Sequence, residues 1–282
     1  MPVTSKSKRK RKLFCDIHPF CYAISLRKEI FKRHLRNLFS REKIAKVITD
    51  EKLPVIVSSH NSNLIRRGKG VDLRLQQNKM VNIILACSKI NGMTIRPGET
   101  FSFWKTVGKL TRKKGYLDGR MIKRGEMVAS LGGGLCNLAN TINLIVLHSP
   151  LKVTEFHNHS DAVNPHKGKR AALSEGTAVN YNNMDYRFKN STDQNIQLLL
   201  WCEDEILHAE LRSERAFPLS YILFEENHHY KKEEDKYYRI SKVYRKISDN
   251  LTGNILKKEL ILDNHSEVLY DYALIPEDEI RE

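Results

Sequence analysis

The sequence predicts an α+β fold, with a mixed helix and strand core over residues 53–200 and a mainly antiparallel β extension over residues 201–282. Two stretches, Val71–Ile90 and the one that follows Cys136, space their apolar residues at the helical period. Many short runs rich in branched and aromatic residues, bounded by Gly, Pro, Asn and Asp, have the character of strands. With 40% hydrophobic residues in 282, the chain has enough apolar material for a real core.

Residues 1–50 form a basic segment, in which Ile30, Phe31, Leu35, Leu38 and Phe39 recur at helical spacing between Ile24 and Ile48. A helix that packs on the domain or lies on a membrane fits this pattern. From Leu53 to Gly70 a short β-like run, Val55-Ile56-Val57, leads into a polar loop. Val71–Ile90 reads as a helix, with Val81, Ile84, Leu85 and Ile90 as apolar positions and Asn91-Gly92 at the expected stop. Between Asn91 and Val128 the glycines and Pro97-Gly98 break the chain into strands and turns. Beyond Cys136, Leu138, Ile142, Ile145 and Val146 share a helical face, and Pro150 ends the pattern. The glycine run Gly132-Gly133-Gly134 therefore sits just before a helix N-terminus.

From Leu151 the chain turns to strands: Lys152–Phe156, Tyr186–Phe188, Ile196–Trp201, Ile206–Leu211 and Tyr221–Phe224. Glu225–Lys236 is charged and reads as a linker or exposed loop. Tyr237–Ile247 and Ile255–Leu262, separated by Asp249-Asn250-Leu251-Thr252-Gly253-Asn254, resemble a β-hairpin, with a further strand near Val268–Tyr272.

The formal charge is +15, from 48 Lys and Arg against 33 acidic residues, and it is concentrated at one end. Residues 1–50 hold 14 Lys and Arg against four acidic residues, a net +10, and Lys6-Ser7-Lys8-Arg9-Lys10-Arg11-Lys12 is drawn to any polyanion. A solvated tail accounts for such a run equally well. No stretch reaches the roughly 20 apolar residues that span a bilayer, and the basic start lacks the ~7–15-residue apolar core of a signal peptide. The sequence thus reads as cytoplasmic, with peripheral membrane association through residues 1–50. Five cysteines, Cys15, Cys21, Cys87, Cys136 and Cys202, are widely spaced without a C-x-x-C pair, which argues against a disulfide framework or a four-cysteine zinc site.

Cys136 stands out on physical grounds. Three glycines permit positive φ and close approach, and a helix N-terminus favours a thiolate and offers amide donors for an oxyanion. A small buried cysteine after a glycine turn is the alternative. Some twenty residues on, Glu155-Phe156-His157-Asn158-His159-Ser160-Asp161 supplies imidazoles, which on a strand point to one face. These histidines are also readable as surface residues, or as zinc ligands with Cys136 and Asp161, although their spacing matches no standard finger. His157-Asn158-His159 is not an HNH nuclease signature, and no Gly-Lys-Ser/Thr follows the glycines as in a P-loop.

The successive blocks are Asn91-Gly92, Ile95-Arg96-Pro97-Gly98-Glu99-Thr100-Phe101-Ser102-Phe103-Trp104, Gly115-Tyr116, Gly132-Gly133-Gly134-Leu135-Cys136-Asn137 and the His157/His159/Ser160 segment. In that order, from about Val71 to Leu200, they resemble the VanW family. The resemblance implies a bacterial cell-envelope role linked to vancomycin resistance, and a cysteine-dependent L,D-transpeptidase-like acyl transfer on peptidoglycan stem peptides. It makes Cys136 the nucleophile and His159 the base, with Gly133, Gly134, Asn137 and Ser160 as substrate-binding or oxyanion residues. No metal or other cofactor is implied. Two departures stand in this chain: Asn137 where many relatives have Gln, and Gly176-Thr177-Ala178-Val179 where they have Asp-Ala-Thr-Val. The expected partners are peptidoglycan or its precursors and, through residues 1–50, an anionic membrane surface. A non-catalytic accessory protein that holds a precursor or carboxylate at the helix N-terminus is the second reading. Nucleic-acid binding rests only on the basic tail and has no recognisable motif behind it.

Overall fold

A computed structural model describes residues 14–67, 71–123, 126–159, 161–162, 176–181 and 183–281. In chain order its regular elements begin with α1 (Pro19–Phe39), β1 (Val47–Ile48), β2 (Val55–Asn63), α2 (Leu73–Ile90), β3 (Met93–Ile95) and β4 (Thr100–Ser102). Next come α3 (Phe103–Val107), β5 (Asp118–Lys123), β6 (Glu126–Leu131), α4 (Leu135–Leu147), β7 (Lys152–Glu155), β8 (Asp161–Ala162) and β9 (Arg187–Lys189). The last are β10 (Ile196–Glu203), β11 (Ile206–Ser213), β12 (Leu219–Glu233), β13 (Lys236–Asp249), β14 (Ile255–Val268) and β15 (Ile280–Arg281). The α+β class holds.

The chain divides into two compact units, one of residues 1–41 with 181–183 and one of the remainder. In the first, α1 starts with Pro at its first helical position, behind His18, whose ring accepts from the Phe20 N–H. It ends at Phe39, well short of Ile48: Ile44 bridges Thr100 in the second unit and Val47–Ile48 pair with β3, so the apolar pattern there belongs to a sheet. Phe20, Ile24, Phe31, Leu35 and Leu38 of α1 are exposed, and Arg27, Lys28 and Lys32 are exposed among them.

In the second unit, β1-β3-β10-β11-β2 form an antiparallel sheet, with α2 and α4 side by side against it. Ile83, Ala86 and Ile90 of α2, Leu138, Ile142, Ile145 and Val146 of α4, and Leu198, Leu207 and Leu211 of the sheet are buried there. The segment Ser58–Asn63, read from sequence as a polar loop, is strand: β2 continues through it and pairs with β11 from Asn63 to Val55. Its alternating exposure fits an edge strand with one wet face, so polarity gave no warning of it. The sheet also runs past residue 200, because β11 lies between β10 and β2.

A small sheet, β4-β9-β7, is held by Asp185. Its carboxylate accepts from Ser102 Oγ at 2.5 Å, the Trp104 N–H at 3.0 Å and Arg187 Nε at 2.8 Å. The final sheet has the order β15-β12-β13-β14-β8. Here the expected linker Glu225–Lys236 proves to be strand: β12 runs to Glu233 and a tight turn leads into β13. A bulge between Glu226 and His229 accommodates the charged stretch, and Asn227 adopts φ 54°. The β13–β14 hairpin is present as expected, but β14 extends unbroken to Val268, and Tyr272 lies in a 3-10 turn rather than a further strand. Tyr230, Val268, Ala162 and Ile275 make a second core under this sheet. No helix among the described residues is long and apolar enough to cross a membrane.

Candidate functional site

The glycine run joins β6 to α4, and each of its special features is met from inside the protein. Gly134, the N-cap of α4, has φ +100°, and a Cβ there would lie 2.2 Å from Cγ of Lys79. Gly133 stacks backbone to backbone on Gly119 of β5, so that a Cβ on Gly133 would lie 2.2 Å from the Gly119 carbonyl oxygen. The buried Asn82 of α2 ties the two strands of this contact together. Its Nδ2 donates to the carbonyls of Gly133 and Leu117, each at 3.0 Å, and its Oδ1 accepts the Leu117 N–H at 2.8 Å. The glycines expected to let a ligand approach therefore serve close packing of β5 and α2 on the turn.

Cys136 is the second residue of α4. Its S–H donates to the Val179 carbonyl at 3.6 Å, and burial pushes the thiol above its ordinary range, against the smaller opposite effect of backbone hydrogen bonds at Val179 and at Cys136 itself. The direction is opposite to the low-pKa thiolate expected at a helix N-terminus, because desolvation of the packed sulfur outweighs the local donors. One turn on, Asn140 Oδ1 accepts from Thr177 Oγ1 at 3.4 Å. The two residues share a helical face and both meet the 177–179 segment.

That segment has the histidines on its other side. The Ala178 N–H donates to the His157 carbonyl at 2.7 Å, and Asn158 bridges Thr177. His157 Nε2 lies 3.1 Å from Glu155 Oε1, and the same carboxylate accepts the Asp185 N–H at 3.0 Å and faces the buried Arg187. Glu155 thus fixes the His157 ring. His159, the expected base, has its carbonyl at Ser266 of β14, 3.5 Å away, and the Cys136 thiol bonds to Val179 rather than to an imidazole. Asn137 is engaged with β2, its Nδ2 donating to Ser62 Oγ at 3.0 Å. Ser160 lies outside the described residues. Among the described residues no three His, Cys, Asp or Glu side chains gather as a metal would need. All five cysteines are free, and Cys87 of α2 and Cys202 of β10 influence one another, Cys87 being pushed up and Cys202 drawn down.

Sequence reasoning missed the cations around this turn. Lys79 is only 8% exposed, and the charges of Arg66 and Arg120, both of its own sign, act on it. Burial first, then those two guanidiniums, depress its ammonium to about 7.

The family model described as VanW like protein matches residues 78–212, a span that opens one residue before Lys79 and closes near the end of β11. The chain is 28% identical over 235 residues to the vancomycin B-type resistance protein VanW of Enterococcus faecalis, covering 80% of this chain and 82% of that protein. It is 34% identical over 117 residues to the uncharacterized protein YoaR of Bacillus subtilis, 41% of this chain and 36% of that one. No solved structure matches. The glycine turn, Cys136 and the histidine segment all lie inside the matched span, so residues 78–212 are a VanW-like domain.

Proposed function

We propose that this chain serves in glycopeptide resistance, the role named for its enterococcal relative, and that it acts on peptidoglycan stem peptides by cysteine-dependent acyl transfer at Cys136. One observation carries the chemistry. The segment Thr177–Val179 receives the Cys136 S–H on one side and the His157 strand on the other, and Glu155 holds the His157 ring. In the first half-reaction Sγ bonds to an amide carbonyl carbon of the stem, the C–N bond breaks, and the leaving amine takes the proton given up by the thiol. An acceptor amine then attacks the thioester, the S–C bond breaks, and the thiol is restored. Burial keeps the resting thiol protonated, so a base must take its proton as attack occurs. His157 and His159 are the candidates for that base. Residues 1–50 complete this reading by meeting an anionic membrane surface, to which α1 offers exposed apolar and basic side chains together.

Intact-protein mass spectrometry after incubation with a tetrapeptide stem tests the proposal. It expects an acyl adduct on the wild type and none on Cys136→Ala. Turnover that persists in Cys136→Ala, with no adduct on the wild type, contradicts it. A second reading, a non-catalytic accessory protein that binds precursors, is favoured by the raised thiol and by the internal filling of the glycine turn. It expects stem binding with no adduct.

A further inference from the structure

We propose that the N-terminal end of α4, together with Lys79, Arg66 and Arg120 packed around it, is a binding site for a small oxyanion, the carboxylate or phosphate group of a ligand. Three separate elements bring these cations to one turn. Lys79 comes from α2, and its Cβ, Cγ and Cδ lie across Gly134. Arg120 follows Gly119 on β5, and its backbone nitrogen lies 2.9 Å from where a Gly133 Cβ would be. Arg66 leaves the end of the β2 strand region with its N–H donating to Gln76 Oε1 at 3.4 Å, one turn before Lys79 on α2.

The second observation is the state of Lys79 itself. It is more than nine-tenths buried, and no hydrogen bond or ion pair engages its Nζ among the described residues. A lysine side chain so largely desolvated, and repelled by two guanidiniums, is unfavourable as a cation without an anion beside it. A bound anion reverses each of these penalties. Beside it, α4 opens on a glycine N-cap that has no side chain to accept from the first N–H groups of the helix. A 13-residue helix presents its positive end beside the Lys79 stem, and the charges of Arg66 and Arg120 act on that same lysine, a balance that an oxyanion would relieve. That the ligand is a stem peptide rests on the function proposed above; the oxyanion site does not.

The test is calorimetric titration of the full chain near pH 6.5 with three probes: N-acetyl-alanyl-alanine, its C-terminal amide, and inorganic phosphate. Binding of the free carboxylate or of phosphate is expected, with none of the amide. Lys79→Met and, on a separate element, Arg66→Met should each weaken it about tenfold or more, the loss of one charge-assisted bond. Either variant decides the matter if the other fails to fold, as thermal melting will show. Carboxylate binding alone identifies a peptide terminus as the ligand, and phosphate binding alone leaves the oxyanion site standing while removing the stem peptide. Affinity unchanged in the variants, equal binding of the amide, or no binding of any probe overturns the proposal. Cys136→Ala should bind as the wild type does, so acyl transfer lost with binding intact bears on the reaction and not on this site.

Discussion

Replacing Lys79 with Met keeps the stem that crosses Gly134 and removes the buried charge, and the structure fixes what this should do to stability. The ammonium sits at about 7 in the folded chain against an ordinary 10.5. The unfolded chain therefore holds a proton that the folded chain partly releases, and this opposes folding. The penalty is complete below pH 7 and fades as pH rises towards 10.5. At pH 7 it is on the order of 4 kcal/mol, an upper figure because neighbouring side chains and water relax around the charge. Lys79→Met should accordingly be more stable than the wild type near pH 7, by up to that amount, and the gap should close by about pH 10. Paired chemical denaturation curves at pH 7, 8.5 and 10 measure the difference directly and cancel other titrating groups. A variant less stable than the wild type at pH 7, or a gap constant with pH, would refute the reasoning.

Other perturbations follow from the same packing. Gly133→Ala forces a methyl to within 2.2 Å of the Gly119 carbonyl oxygen, so it should lower unfolding free energy by about 2–3 kcal/mol in denaturant titrations. A Gly133→Ala chain of wild-type stability would show that the two backbones can part freely. Asn82→Ala strands three buried backbone groups at Leu117 and Gly133 and should cost about 2–3 kcal/mol by the same assay. Deleting residues 1–12 should reduce sedimentation with anionic liposomes, and added salt should mimic the deletion. Phe31→Glu combined with Leu35→Glu should reduce it further even at low salt, and unchanged sedimentation of both variants would remove the lipid surface from the account.

In α4 burial of one helix face dictates the spacing the sequence shows, whereas in α2 the helix was legible but its buried face was not: of Val81, Ile84, Leu85 and Ile90 only Ile90 is buried. α2 and α4 lie where the apolar residues recur, and α4 begins directly after the glycine run. Strands with a wet face were harder, since Ser58–Asn63 and Glu225–Glu233 carry little of the branched and aromatic character that marks a strand. Cys136 and the histidine strand were found from residue chemistry and motif order, but their surroundings were not. Whether a helix N-terminus lowers a thiol depends on how far packing has stripped its water, and spacing does not report that. His157 has a carboxylate beside it because Glu155, at the end of β7, stands two residues away. Lys79 and Asn82 did leave a sequence signal. Both fall on the helical face that carries Ile83, Ala86 and Ile90, where with Gln76 they put three polar side chains into a buried stripe. That placement marks the buried turn they serve.

If Cys136 and the start of α4 belong to one site for an anionic peptide, alkylation kinetics will show it most directly. Iodoacetamide labelling of each cysteine would be followed by peptide mapping near pH 8 while a tetrapeptide stem with a free carboxylate is titrated in. The account predicts saturable protection of Cys136 in the wild type, with Cys15 and Cys21 unaffected, and loss of that protection in Lys79→Met. Labelling of Cys136 at an unchanged rate in saturating peptide, or protection that persists undiminished in Lys79→Met, would contradict it.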